Sequence, residues 1–286
     1  MVALKHIAAL LILAVAMPQT SLGRGRLDSS DRREGSLFGQ SAAQALDRDF
    51  HNPDVSFLLF DARTGQLLGS RWDVPSIPIP FGSLMKPFAA LAYGQQHAFR
   101  YPTETCLGTE SGCWRPNGHG VVDLTSAIAY SCNSYFRALT ASLTAADVSA
   151  TASRFALEAP SRDLFGAPLA GLGAEWRVSP THIALAYLEL AHERDQPGVS
   201  QILDGMAKSA RYGTGAEVDR ALPVPNALVK TGTAACTHAR RAPGDGFTVA
   251  LIPEDDPRIL LLVRVHGVPG AQAAKIAGQM LRRIEE

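Results

Sequence analysis

An α+β fold is predicted: an antiparallel five-stranded sheet flanked by helices, with an all-helical subdomain inserted between its strands. Two observations carry this. Apolar runs of strand character cluster near residues 55–68 and again after residue 222, whereas the stretch between them follows helical periodicity. A chain of 286 residues, 46% hydrophobic and 19% charged, also has apolar surface enough for one domain or two interlocked subdomains.

Taken in order, the first segment is an address. Lys5 and His6 precede an unbroken apolar run over 7–16, the length of a signal-peptide core and too short for a bilayer core of about 30 Å. Ala14-Val15-Ala16 and Ser21-Leu22-Gly23 offer small-x-small cleavage sites. Residues 1–23 are therefore expected to be a signal peptide that delivers the chain to the periplasm or outside the cell. Residues 24–50 are rich in Arg, Asp and Gly, lack apolar periodicity and are expected to form an exposed linker. The folded domain is expected over 51–286, with its sheet part at about 51–82 and 205–286 and its helical part at about 83–204.

Within that domain, Val55–Phe60 and Gln66–Leu68 flank a Gly-bearing turn and read as a β-hairpin. Pro75, Pro78 and Pro80 exclude helix and central strand, and carry the chain to Gly82-Ser83. A helix runs from Leu84 to about Gln96, with Pro87 tolerated in its first turn. Val122–Leu143 and Pro180–His192 are the clearest helical segments, the second started by Ser179 as N-cap. Strands follow at Ala227–Ala235, Phe247–Ile252 and Ile259–His266, the last two joined by a polar loop over 253–258. An amphipathic helix over Ala271–Ile284 closes the chain.

Composition narrows the chemistry. Lys+Arg and Asp+Glu both number 27, so no basic surplus is present to neutralise phosphates, and nucleic acid is not expected as a partner. The eight histidines are scattered, without H-E-x-x-H or paired-ligand spacing, so neither a metal nor a cofactor is expected. His182 and His192 fall on an apolar helix and read as packing or surface residues. Export makes the four cysteines candidates for oxidation. Cys106 and Cys113 bracket the loop CLGTESGC and are predicted to form a disulfide. Cys132 and Cys236 read as small buried hydrophobes, with a second bridge across a cleft as the alternative.

Three motifs then occur in order: Ser83-Leu-Met-Lys86, Ser131-Cys-Asn133 and Lys230-Thr-Gly232. S-x-x-K alone is weak, but the chain has only five lysines and two lie in these motifs. On a helix, residues three apart share a face, so Lys86 can reach the Ser83 hydroxyl. A serine becomes a nucleophile when a base takes its proton, and a lysine serves when burial keeps it neutral. Within the helical middle a polar turn would direct Ser131 and Asn133 into a cleft, where Ser131 can relay a proton between a lysine and a leaving amine while Asn133 holds a substrate amide. On a strand, Thr231 and Thr233 share a face suited to a carboxylate, and Gly232 admits a close backbone, as a peptide lying alongside requires. Lys230 adds positive charge near Ser131. The backbone N–H groups of Ser83 and Thr233 are candidates for an oxyanion hole.

These motifs are a serine-nucleophile signature set, and from about residue 54 to its end the chain resembles the transpeptidase domain of class B penicillin-binding proteins. FLLFDARTGQLLG is similar to that family's opening hairpin and FGSLMKPF to its nucleophile segment. SCNSYF, WRVSPTHIALAYLELA, ARYGTG and VKTGTA follow in the family's order. The resemblance implies a β-lactamase/transpeptidase-like fold with the site between sheet and helices. It implies peptidoglycan stem peptides of the D-Ala-D-Ala type as substrates, and β-lactams as covalent inhibitors. Catalytic roles carry over to Ser83, Lys86, Ser131 and Lys230, and substrate-binding roles to Asn133, Thr231, Gly232 and Thr233. No pedestal domain is read ahead of the domain, and the segment between Thr233 and Phe247 is short, Arg-rich and Gly/Pro-bearing. Cross-linking and trimming both remain open on that basis.

Two other activities fit the same motifs. A serine β-lactamase shares the acylation machinery and releases the acyl group to water. Its class D members carry a valine where Asn133 stands and a Y-G-N motif absent here, while Glu158, Asp163 and Glu175 are loop carboxylates able to activate water. A penicillin-binding sensor or wall-peptide binder would acylate without turnover.

Overall fold

The computed structural model describes residues 29–236 and 244–286, with side chains from residue 38 onward. The expected signal peptide lies outside the described residues, as does most of the loop after Thr233. Strands β1 (Val55–Asp61) and β2 (Leu67–Arg71) form the predicted hairpin. The Asp61 carboxylate accepts the backbone N–H groups of Arg63 and Thr64 at 2.9 and 2.8 Å, and Gly65 adopts φ +72° to complete the turn.

Between that hairpin and the last strands lies the helical part. It holds α2 (Lys86–Gln96), α3 (Leu124–Ala129), α4 (Asn133–Thr140), α5 (Ala145–Arg154), α6 (Pro180–His192), α7 (Val199–Tyr212) and α8 (Ala216–Ala221). Two small ribbons brace it: β3 (Ile79–Pro80) pairs with β6 (Arg177–Val178), and β4 (Glu104–Cys106) with β5 (Gly120–Val122). The chain returns to the sheet as β7 (Leu228–Ala234), β8 (Asp245–Ile252) and β9 (Ile259–His266), then closes with α9 (Gly270–Glu285). The five-stranded sheet is antiparallel throughout, in the order β2-β1-β9-β8-β7, with β7 at an edge.

Alternation along the strands divides the core in two. On β9, Leu260 and Leu262 face the helical part, whereas Ile259, Leu261, Val263 and Val265 pack on the opposite layer. That second layer is α9, through Ala273, Ala277, Met280 and Leu281, together with an additional helix, α1 (Ser29–Asp49).

Over Ser29–Asp49, helix α1 corrects the reading of an exposed linker at 24–50; residues 24–28 lie outside the described residues. Ala42 and Leu46, one turn apart, are buried, and Arg283 on α9 pairs with Asp49 at 2.6 Å. Small residues make the docking possible: a Cβ on Gly69 of β2 would fall 2.5 Å from that of Ala43. A face of Gly, Ala and one Leu carries little hydropathy, so periodicity misses it. Burying Leu46 alone nonetheless contributes about 1.5–3 kcal/mol.

A second correction concerns the predicted helix over 122–143. It is two helices, α3 and α4, broken at Tyr130–Cys132. Asp123 caps α3 through a reciprocal bond pair with Ser126. Ser131 then takes φ +50°, a left-handed conformation that costs energy for any residue with a Cβ. Cys132 is extended and starts α4. Among the described residues, no helix is long and apolar enough to cross a membrane.

Candidate active site

The site lies where the first turn of the α2 segment meets edge strand β7 and the α3–α4 break. Residues Gly82–Met85 form a single 3₁₀ turn ahead of α2, and the Lys86 N–H donates to the Ser83 carbonyl. Two glycines let this turn press against β7. A Cβ on Gly82 (φ +58°) would lie 2.1 Å from the Thr233 carbonyl oxygen. One on Gly232 would lie 2.4 Å from that of Phe81. The close backbone that Gly232 admits is therefore the nucleophile turn itself, not the peptide alongside the strand that the motif suggested. Ser83 is left half-buried, with Lys86 one turn on and fully buried.

Lys86 is held by the helix break. Its Nζ donates to the Ser131 carbonyl at 2.7 Å and to Asn133 Oδ1 at 2.7 Å, and lies 3.3 Å from Ser131 Oγ. Lys230, on β7, donates to the same Ser131 hydroxyl at 3.0 Å and to the Thr231 carbonyl at 2.7 Å. Two fully buried lysine amino groups thus converge on one hydroxyl. Burial pushes the Lys86 pKa down from 10.5 to about 7, a fall that negative charge on the neighbouring Cys132 and Cys113 sulfurs partly offsets. Burial first, and the Lys86 charge second, hold Lys230 well below its ordinary value as well.

A neutral amine has two N–H donors and one lone pair. On Lys86 the two donors are taken by the Ser131 carbonyl and Asn133, so the lone pair is available to a third direction. The structure thus gathers Lys86, Ser131, Asn133 and Lys230 into one hydrogen-bonded group and sets Ser83 and Thr233 beside it.

Thr231 and Thr233 differ in setting. Thr233 is exposed, and its Oγ1 accepts the Gly270 N–H at 2.9 Å. Thr231 is buried, and its hydroxyl donates to Thr214 Oγ1 at 2.6 Å. Thr214 and Gly213 are the residues that motif reasoning left without a role. The Thr214 N–H donates to the Ala129 carbonyl at 3.1 Å, and a Cβ on Gly213 would lie 2.1 Å from that oxygen. The loop after α7 therefore ties β7 to the end of α3, immediately before Ser131. The ARYGTG string carried that signal.

Among the three loop carboxylates, Glu158 is engaged at the start of α6. Its Oε1 accepts the Ser179 N–H at 3.1 Å and lies 3.0 Å from His182 Nδ1. His192 Nε2 donates to the Ala62 carbonyl at 2.8 Å, a packing role as read from the sequence.

The predicted Cys106–Cys113 disulfide is corrected. Cys106, Cys113 and Cys132 are free thiols. Cys106 Sγ and Cys113 Sγ face His119 Nδ1 at 3.5 and 3.6 Å, and Cys113 Sγ lies 3.9 Å from Cys132 Sγ. Sequence reading missed His119 because its three sulfur neighbours are spread from residue 106 to residue 132.

With this geometry in hand, comparison with known proteins gives a family. The penicillin-binding protein transpeptidase domain model matches residues 55–286. A search of curated proteins gives no match. Among solved structures, the PBP2 of Helicobacter pylori in its complex with MreC superposes with a TM-score of 0.71 at 17% identity, over 86% of this chain and 62% of that one. The PBP2 of Pseudomonas aeruginosa gives 0.69 at 18% identity, over 86% and 76%. The transpeptidase domain of Burkholderia pseudomallei penicillin-binding protein 3 gives 0.65 at 18% identity, over 88% and 92%. At these identities the likeness is one of fold, and the chain spans less than two thirds of the H. pylori protein. The fold, the order of the motifs and the family match agree, and the chain belongs to the penicillin-binding protein transpeptidase domain family.

Proposed function

We propose that this chain is an exported serine D,D-acyltransferase that acts on D-Ala-D-Ala-type stem peptides of peptidoglycan, as a transpeptidase or carboxypeptidase. β-Lactams acylate the same serine. The observation that carries the reading is the convergence of Lys86, one turn on from Ser83, and Lys230 on the Ser131 hydroxyl.

The steps follow from that arrangement. Neutral Lys86 takes the Ser83 proton as Oγ forms its bond to the substrate carbonyl carbon. The oxygen of the tetrahedral adduct gains negative charge next to the Ser83 and Thr233 backbone N–H groups, brought close by Gly82. The C–N bond to the terminal D-alanine breaks, and the departing amine receives its proton through Ser131, which Lys86 and Lys230 both touch. We assign the terminal carboxylate to the exposed Thr233 hydroxyl, with buried Lys230 behind it, and the peptide amide to Asn133. The free edge of β7 favours a substrate lying alongside as an added strand. An acceptor amine or water then attacks the acyl-enzyme and regenerates Ser83.

The test is intact mass after incubation with penicillin, for wild type and Ser83→Ala. A single stable adduct on wild type, absent from the variant, is expected, with D-alanine released from a D-Ala-D-Ala peptide. Antibiotic consumed without adduct would move the reading to a serine β-lactamase. An adduct without D-alanine release would move it to a non-turnover sensor. Antibiotic intact and no adduct would overturn it.

A further inference from the structure

Three sulfurs and an imidazole meet beside the catalytic group without belonging to it. Cys106 ends β4, Cys113 follows the short 3₁₀ turn Gly108–Ser111, His119 precedes β5, and Cys132 starts α4. Their four ligand atoms lie within 4.8 Å of one another, and all three cysteines are buried.

The separations are those of a coordination polyhedron. Zinc holds sulfur at about 2.3 Å and nitrogen at about 2.0–2.1 Å, so a tetrahedron has S···N edges of about 3.5 Å and S···S edges of about 3.8 Å. Three of the six separations are 3.5, 3.6 and 3.9 Å, and the other three lie within 4.8 Å. A disulfide would bring two sulfurs to about 2.05 Å. Hydrogen bonding alone explains the cluster poorly, because a thiol is a weak donor and a single Nδ1 lone pair faces two of them.

A second group offers an internal comparison. Cys236, Asp245 and His266 also bring ligand atoms within 4.8 Å of each other. There His266 Nδ1 stands 2.7 Å from Asp245 Oδ1, a hydrogen-bond length well inside the ~3.3 Å edge between nitrogen and oxygen on one zinc ion. That contact is a His–Asp pair, and no metal is inferred from it.

The surroundings of the first cluster fit a bound cation. His119 is fixed between rings, stacked on Tyr130 at 5.1 Å and edge-on to Trp114 at 5.4 Å. Its Nε2 makes no hydrogen bond among the described residues, so the ring is oriented by packing. The ligand-bearing loop 107–119 has little core of its own: Leu107 and Trp114 are exposed. It folds back on glycines instead, since a Cβ on Gly118 would lie 2.0 Å from the Cys106 carbonyl oxygen. A loop with so little apolar burial is the kind that a structural metal staples.

We infer that Cys106, Cys113, His119 and Cys132 bind one zinc-class divalent cation in a closed tetrahedral site, and that this ion positions the Ser131–Asn133 turn. Binding replaces the three thiol protons, which pass to solvent, and changes no oxidation state. Closed four-ligand coordination leaves no open position for substrate, so the role is structural. The link to the active site is covalent and short. Cys132 is the middle residue of Ser131-Cys-Asn133, and the left-handed Ser131 backbone on one side and Asn133 on the other both supply acceptors to Lys86. An anchored Cys132 keeps that strained turn from relaxing.

Elemental analysis of the purified full chain tests the site without any acylation assay, so its outcome is separable from that of the enzymatic proposal. About one zinc per chain is expected, retained through dialysis, together with the visible bands of a tetrahedral thiolate site after cobalt exchange. Cys113→Ser and His119→Ala should lose the metal, Cys236→Ser should keep it, and His119→Cys, which preserves four soft ligands, should keep it even if the other variants fold poorly. Positioning is read separately, as a fall of about tenfold or more in acylation rate on metal removal and recovery on adding zinc. Absence of metal from protein purified with zinc present, metal lost equally from Cys236→Ser, or a Cys113–Cys132 disulfide seen as a mass lower by two hydrogens would each overturn the inference. Zinc that dialysis strips is an adventitious ion only and overturns it as well.

Discussion

Two walls meet at the hydroxyl of Ser131, and they are built differently. The strand wall is regular: every residue from Leu228 to Ala234 is paired in register with β8, so the position of Lys230 follows from the sheet. The helical wall is irregular. Ser131 and Asn133 lie at a break between two short helices, with a left-handed serine and a sulfur–imidazole cluster on its far side. The regular wall contributes charge to a shared hydroxyl, whereas the irregular wall sets the hydrogen-bond geometry around the base. Chemistry that needs a lone pair aimed in one direction depends more on the second.

Paired substitutions break or sharpen that contrast. Lys86→Met is expected to slow acylation by penicillin by about 10²–10⁴-fold, the contribution of a positioned general base. Lys230→Met should cost less, about 10²-fold, because it removes a charged donor but not the base. Wild-type acylation should rise with pH through about 7, as Lys86 loses its proton, and Lys86→Met should lose that limb. Rates come from intact mass against time, with circular dichroism to check folding. A larger loss in Lys230→Met would assign the base to the strand wall and invert the comparison.

The same contrast explains what the sequence disclosed. The strands near the C-terminus and α6 were legible because their patterns are regular: alternate residues of β9 serve two cores, and Ser179-Pro180 announces the start of α6. Lys86, Ser131, Asn133 and Lys230, which the structure joins in one hydrogen-bonded group, could be picked out because their motifs are short and contiguous. A polar turn at Ser131–Asn133 was open on the sequence, but its left-handed geometry was not, because a left-handed Ser131 has no compositional mark. Helix α1 escaped because it docks with glycine and alanine. The cysteine cluster was misread as a disulfide because its ligands, spaced C-x6-C-x5-H-x12-C, converge only when β4, β5 and α4 pack together.

A backbone substitution tests the regular wall more gently. An added methyl at Gly232 would point at the Phe81 carbonyl, 2.4 Å away, and at the Leu84 N–H nitrogen, 3.3 Å away. Both belong to the turn carrying Ser83, and neither can rotate aside as a side chain would. Gly232→Ala is therefore expected to displace the nucleophile, lowering the acylation rate by about 10²-fold. Overpacking should also lower stability by about 1–3 kcal/mol in a urea titration. Unchanged acylation would mean that β7 gives way, and that the strand wall is the softer of the two.

The smallest effect is one of stability against pH. Lys86 is fully buried with its pKa lowered to about 7, whereas in the unfolded chain it titrates near 10.5. Between those values the unfolded state holds a proton that the native state has released, so stability rises as pH rises across that window. Below pH 7 both states are protonated and this contribution is flat, with the full cost of burying the ammonium present. Each such lysine adds at most about 1.4 kcal/mol per pH unit. Replacing Lys86 by Met removes one titrating group, so the slope of unfolding free energy between pH 7 and 10 should flatten by up to that amount. An undiminished slope would mean that Lys86 stays protonated in the resting fold, which would leave Lys230 as the amine able to accept the Ser131 proton.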